Sequence, residues 1–367
     1  MKKKWFNAEI MKNLKIDGFN VGNIRKGEEG LILQKALITS FEDRFYTYTH
    51  CLSKIIHLNT CNNLLIVIDT TNTAKIYKDF FPFSQGIRVK RDMKQLMPLS
   101  KADIVDITEI TFSDSIYDIN PKAGEQVIWL FRTGFCFGLY FDLTRKLQPE
   151  SSRKEMALLY QRVLFFDLYN KVNTNEIELL FKHGWFPFIQ LIGDRHNELI
   201  SFIFDKNPDL IESWCAEKFT NEQIKTITEK WFSNCFFIER IKPIQEGLEC
   251  FDNNQFAASI STLTPMLEGI ANLFLLRTTG KGISYKSTEI IKDIEMISLR
   301  KYNEESLFFV KQFKQYLSEY YFKNTTSSES SDAVRNTVAH GRATDKSFTR
   351  ENALKIIFAL DQIYYFI

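Results

Sequence analysis

Two different periods of apolar residues divide this chain. Up to about residue 143 the pattern favours strands. Residues 64–68 read LLIVI, a β-branched run closed by Asp69 and a polar turn, which is the pattern of a buried strand. Residues 126–131 (QVIWLF) and 135–141 (FCFGLYF) flank Arg132, Thr133 and Gly134. They predict a hairpin whose turn uses Gly134 for a positive φ angle. Residues 104–117 alternate less cleanly and are read as a further strand.

Beyond Asp142 the spacing becomes helical. A polar stretch over residues 146–153, with Pro149 and two serines able to start a helix, marks the boundary. Gly184, Pro187, Asn207, Pro208 and Thr220 then punctuate a series of short helices. From Ile260, the positions Leu263, Leu267, Ile270 and Phe274 step by three and four, laying one stripe along a helix. Phe309, Phe313, Tyr316 and Tyr320 do the same in a second helix. Residues 352–367 are apolar nearly all round, which predicts a central helix covered by others. A Ser/Thr tract over residues 324–332 is too polar to pack and is expected to be mobile. The fold class expected is α+β: a β-rich domain over residues 1–145, a helical middle over 150–250, and an antiparallel helical bundle over 253–367.

Composition adds exclusions. With 47 Lys and Arg against 45 Asp and Glu, the net charge is +2, so no global basic field advertises nucleic acid and any such site is local. The unusual content is aromatic, 33 Phe and 14 Tyr against 15 Gly, which suits ring-packed helices with few long loops. The lysines at positions 2–4 are not followed by the apolar stretch of a signal peptide. No run of about 18 uncharged apolar residues occurs, so the expectation is a soluble, cytoplasmic protein without a membrane partner. The six cysteines form no CxxC pair and sit mostly among apolar neighbours. Reduced, buried thiols are expected, not a zinc knuckle or a disulfide framework.

Candidate chemistry lies just after the Ser/Thr tract, where residues 335–340 read RNTVAH. Asp332 is a good N-cap and Gly341 a good helix stop. A short helix would then carry the permanent cation Arg335 near one end and the base His340 near the other. A guanidinium binds phosphate bidentately and an imidazole moves protons near neutral pH, so this chemistry requires no metal and no cofactor. Five residues along an ideal helix turn the side chains by about 140°. Arg335 and His340 therefore do not share a face of one straight helix: either Arg335 reaches around, the helix distorts near Gly341, or the partners meet across a two-fold axis as a composite site.

The RNTVAH segment resembles the signature of the HEPN superfamily: an Arg, a polar residue, three variable residues and a His, late in a compact helical bundle. The resemblance covers roughly residues 253–367. It implies a HEPN-like bundle that dimerises so that both copies of the signature line one cleft. It also implies metal-independent endoribonuclease activity, of the kind found in toxin, antiphage and RNA-processing systems, with RNA as substrate. Arg335 matches the signature Arg, Asn336 the polar residue and His340 the His. Glu268 is the candidate for the acidic residue that such families often carry on an earlier helix facing the Arg. Arg277, Lys281 and Arg342 are the candidate RNA contacts beside them. HEPN-like bundles also serve as non-catalytic dimerisation modules that bind nucleotide, RNA or protein, which is the alternative reading.

A structural reading stands beside both: Arg335 pairs with Glu268 or Asp332, and His340 ends the helix. Other candidates are weaker. Arg44 precedes His50 by six residues, but its surroundings alternate like a strand. The basic run over residues 88–94 reads as a solvated loop. His183 and Trp185 around Gly184, like Arg195 and His196, lack a partner at catalytic or metal spacing and read as helix-end residues. Residues 278–284 lack the spacing of a phosphate loop and read as a helix terminus.

Overall fold

The computed structural model describes residues 18–20, 32–34, 61–141, 149–280, 287–322 and 335–367, apart from 72–73, 114–118, 135, 173–174, 206, 208 and 303–305. The strands are β1 (Gly18–Asn20), β2 (Ile32–Gln34), β3 (Asn63–Ile68), β4 (Ala74–Lys78), β5 (Ser84–Val89), β6 (Ile104–Thr111), β7 (Gln126–Thr133) and β8 (Cys136–Phe141). The α-helices follow: α1 (Pro149–Leu164), α2 (Phe166–Val172), α3 (Asn175–Lys182), α4 (Asp194–Phe204), α5 (Asp209–Lys218), α6 (Asn221–Thr228), α7 (Cys235–Ile238), α8 (Ile241–Asp252), α9 (Phe256–Thr279), α10 (Ser287–Lys301), α11 (Val310–Tyr316), α12 (Arg335–Ala339) and α13 (Arg350–Phe366). The fold is α+β, with an N-terminal antiparallel sheet and a helical C-terminal region. The chain divides into two compact units: residues 1–88 with 107–166, and residues 89–106 with 167–367. The Ser/Thr tract, Asp332, Arg44, His50 and Lys281 lie outside the described residues.

In the first unit, four strands run in the order β4-β3-β7-β8, each pair antiparallel. β3 lies inside this sheet and is buried from Leu64 to Ile68, which explains why its sequence is a continuous apolar run rather than an alternating one. Leu64, Ile66, Ile68, Ile128 and Leu130 form the core on one face. On the other, the Trp129 ring packs against Phe83, Phe112, Phe131 and Tyr160, the last contributed by α1. Gly134 takes φ +60° at the β7–β8 turn, as the hairpin requires.

The second unit is built around α13, buried without a break from Asn352 to Ile363. Phe188 and Phe219 meet Phe358 of α13 at ring distances of 5.8 and 4.8 Å. Two polar side chains of α13, Asp361 and Gln362, are paired inside this core. Asp361, fully buried, accepts from Trp231 Nε1 at 2.9 Å, Lys230 Nζ at 2.9 Å and Gln190 Nε2 at 2.6 Å. Gln362 accepts from the Ile189 N–H at 3.1 Å and donates to the Phe308 carbonyl at 3.0 Å. These bonds fasten the irregular stretch between α3 and α4 onto the central helix.

The stripe from Phe309 to Tyr320 is buried as expected, but not in one regular helix. Phe309 caps α11 in the left-handed region at φ 47°, and residues Leu317–Tyr321 continue α11 as π-helix. Cysteines 61 and 215 are buried, and burial pushes both thiols up, away from the reactive thiolate. Cys235 departs from the expectation: it opens the four-residue α7 and is exposed.

Gly184 ends α3 with φ +69°, and a Cβ added there would lie 2.2 Å from Cζ of Tyr320. Its carbonyl accepts from the Tyr316 hydroxyl at 3.2 Å. Gly184→Ala therefore combines a left-handed backbone penalty of about 1–2 kcal/mol with overpacking of about 1–3 kcal/mol. The expected result is a urea unfolding free energy lower by about 2–5 kcal/mol; an unchanged midpoint would show that this loop re-forms without strain.

Candidate functional site

The candidate site is assembled from a short helix, its terminator and the long helix beneath it. α12 spans only Arg335–Ala339. It ends in a doubly bonded turn: Gly341 N–H donates to the Val338 carbonyl at 3.2 Å, Arg342 N–H to the Thr337 carbonyl at 2.8 Å, and Gly341 takes φ +64°. This is the Schellman pattern, and it makes Gly341 the left-handed residue and His340 the C-cap. Ala339 and His340 are exposed, whereas Thr337 is fully buried and Asn336 nearly so. One face of the turn is an anchor and the cap faces water.

Two elements hold the anchor. α12 packs against α9, the helix that carries Glu268, which is partly buried. The Asn336 amide donates to the Phe322 carbonyl at 3.2 Å, at the end of the π-helical segment. That segment is fixed in turn by the Tyr321 hydroxyl, which donates to the Thr264 carbonyl of α9 at 2.7 Å. Pro265 follows Thr264 inside α9. π-helical turns often occur at functional sites.

The residues singled out from the sequence are thus distributed as follows. Asn336 and His340 lie on α12 and its cap, Arg335 opens that helix, and Glu268 is on the helix packed against it. The Asn336 side chain reaches inward to the Phe322 carbonyl rather than outward to solvent. Arg277 is exposed near the end of α9, but its guanidinium engages the Glu239 carboxylate and rests 5.8 Å from the centre of the Phe236 ring. Arg342 is exposed beside His340. α9 ends at Thr279 with Gly280 in the left-handed conformation, so residues 278–280 form the helix terminus read from the sequence.

Sequence reasoning missed further polar groups. One turn beyond Glu268 on α9, the Asn272 side-chain oxygen is enclosed without a hydrogen-bond donor among the described residues. Nothing in the sequence distinguishes this Asn from a surface residue. At the N-terminal end of α13, Glu212 accepts from the Arg350 and Glu351 N–H groups at 2.8 and 2.7 Å, while Glu351 accepts from Trp185 Nε1 at 3.0 Å and pairs with Lys355. Trp185 is fully buried. Burial alone would push the Lys355 ammonium down, but the Tyr320 and Glu351 charges outweigh it and hold the group above the ordinary lysine value. The available signal was the presence of Arg350, Glu351, Lys355 and Asp361 in a mostly apolar segment.

Among the described residues, no three His, Cys, Asp or Glu side chains converge as metal ligands. α9 is long and apolar enough to cross a bilayer on length and composition. It buries Leu263, Leu267, Ile270 and Phe274 in the fold and packs against α8 and α13, as a core helix does. No protein family model, curated protein or solved structure matches the chain.

Proposed function

We propose that this protein is a cytoplasmic, metal-independent endoribonuclease of the HEPN type, working as a homodimer, with a role as a toxin or antiphage effector. The observation that carries the reading is an exposed histidine held at the cap of a helix whose other face is an anchor. A group placed that way meets a substrate without costing the fold a contact. His340 moves a proton at the RNA 2′-hydroxyl or at the leaving oxygen, and Arg335 stabilises charge on the phosphorane-like transition state. Asn336 serves by bracing the turn that carries both, and Glu268 is the supporting acid on the neighbouring helix. Two-fold pairing brings the Arg335 of one copy to the His340 of the other.

A second reading is favoured by the near-neutral net charge and by the Arg277–Glu239 pair, which lessen nonspecific attraction for RNA. It is a HEPN-like dimerisation module without cleavage. Incubating the purified protein with total RNA in EDTA, beside His340→Ala, separates the two. Cleavage by the wild type alone selects the enzyme, and intact RNA in both lanes selects the module. Light scattering at micromolar concentration is expected to give a dimer; a monomer would remove the composite site.

A further inference from the structure

The loop that joins β5 to β6 carries apolar side chains outward. Residues 90–101 read KRDMKQLMPLSK, and within them Leu96 is 96% exposed, Leu99 44% and Met97 40%. Exposed apolar residues scattered singly are ordinary, but three within four positions call for a reason. The base of the loop is fastened. Both carboxylate oxygens of Asp103 accept from the Arg91 guanidinium, and the Ser100 N–H and hydroxyl donate to the same carboxylate at 2.9 and 2.8 Å. The Lys90 N–H donates to the Asp103 carbonyl at 3.0 Å, and the Lys90 carbonyl accepts from the Tyr365 hydroxyl at 2.8 Å.

Inside that frame the Met97 N–H donates to the Lys94 carbonyl at 3.0 Å, closing a turn whose third residue, Leu96, takes φ 63°. Glycine or asparagine is usual there, and a leucine carries a steric penalty. Its side chain recovers nothing from packing, because nearly all of it lies in water. A residue that strains the fold and contributes no burial points to something met outside it. The surroundings of the tip are cationic. Lys94 and Lys101 are exposed, and the exposed Arg91 leans toward the tip with Nη1 3.4 Å from Met97 Sδ. Among the described residues between 90 and 103, Asp92 is the one exposed carboxylate, since Asp103 is buried and bound by Arg91 and Ser100. A projecting apolar tip beside cations complements a surface that is apolar within and negative at its boundary.

We propose that residues 94–101 anchor this protein on the surface of a membrane containing anionic phospholipid. Leu96, Met97 and Leu99 enter the boundary of the acyl region, while Lys94 and Lys101 sit among the negative headgroups. The expectation of no membrane partner rests on the lack of an apolar run long enough to span a bilayer, and an interfacial anchor needs no such run. The loop shares no residue with the RNTVAH segment and stands or falls independently of the ribonuclease reading.

The test sediments the full chain with vesicles of phosphatidylcholine alone and of phosphatidylcholine mixed with phosphatidylserine. Wild type is expected on the mixed vesicles and not on phosphatidylcholine alone. Leu96→Gly relieves the left-handed strain while removing the side chain. It is expected to melt at or above the wild-type temperature and to lose at least about tenfold in vesicle affinity, the equivalent of one leucine left unburied. Lys94→Gln should lose about fivefold, the equivalent of one basic residue at an anionic surface. Leu96→Trp should bind at least as tightly as wild type, because indole favours the membrane interface, whereas a shaped pocket on a protein partner or a second copy would reject the larger ring. Leu210→Ser, at an exposed apolar position of α5, is the control and should bind as wild type does. Failure of wild type to sediment with the mixed vesicles, or equal binding to both kinds, would overturn the proposal. So would unchanged affinity or a lower melting temperature in Leu96→Gly, loss of binding in Leu96→Trp, or an equal loss in Leu210→Ser.

Discussion

Asp361→Ala is expected to lower the unfolding free energy by about 3–5 kcal/mol, the range for removing one partner from a buried ion pair. The size follows from what is left behind. Lys230 would keep the Tyr365 hydroxyl at 2.8 Å and the rings of Tyr364 and Tyr365 at 5.2 and 4.2 Å, but no longer a counter-charge. Trp231 Nε1 and the Gln190 amide would lose their acceptor in the interior. Asp361→Asn preserves volume and an acceptor oxygen, so it is expected to cost less, about 1–3 kcal/mol. Combining Asp361→Leu with Lys230→Met should recover much of the loss, because an apolar pair removes the stranded charge as well. Urea unfolding followed by tryptophan fluorescence reads all three. A loss under about 1 kcal/mol for Asp361→Ala would mean that ring packing, not this network, holds the loop between α3 and α4 to α13.

His340→Ala should do the reverse, leaving stability within about 0.5 kcal/mol of wild type because the imidazole is exposed. RNA cleavage should fall by about 10²–10⁴-fold, the usual contribution of a positioned acid–base group. The two changes together distinguish a catalytic imidazole from a structural one, which would show a lower melting point and no cleavage to lose. Arg335→Lys adds a geometric criterion, since lysine keeps the charge but not the planar fork. Full activity in that variant would argue against a bidentate clamp on the transition state. Full activity in His340→Ala would end the proposed mechanism.

The elements legible in the sequence are those fixed by local pattern. The β7–Gly134–β8 hairpin, the buried β3, the stripe of α9 and the all-round burial of α13 each follow from spacing within one segment. Thr220 caps α6 by accepting from the Gln223 N–H, as its sequence position suggests. What was not legible depends on distant partners. β3 pairs with β7 across a long stretch of chain, and no local signal specifies that neighbour. Residues 89–106 group with the helical unit because contacts such as the Tyr365 hydroxyl to the Lys90 carbonyl tie them to α13. At the candidate site, the helix stop at Gly341 was readable from one residue, whereas the inward turn of Asn336 and the π-helical segment that receives it were not.

The five-residue length of α12 has a consequence for control. A helix this short cannot sustain itself in water, since isolated helices below about 12–15 residues are marginal even in favourable sequences. Its shape is conferred by Thr337 and Asn336 seated on their supports and by the turn at Gly341. Such a segment can open at a free-energy cost well below that of unfolding the domain. On the proposed ribonuclease reading, loosening the seat would therefore displace His340 while α13 and its core stay intact, and tightening it would hold the same residue in place. The position of the imidazole is thus set by its footing at Asn336 and Thr337, and not by contacts of its own among the described residues.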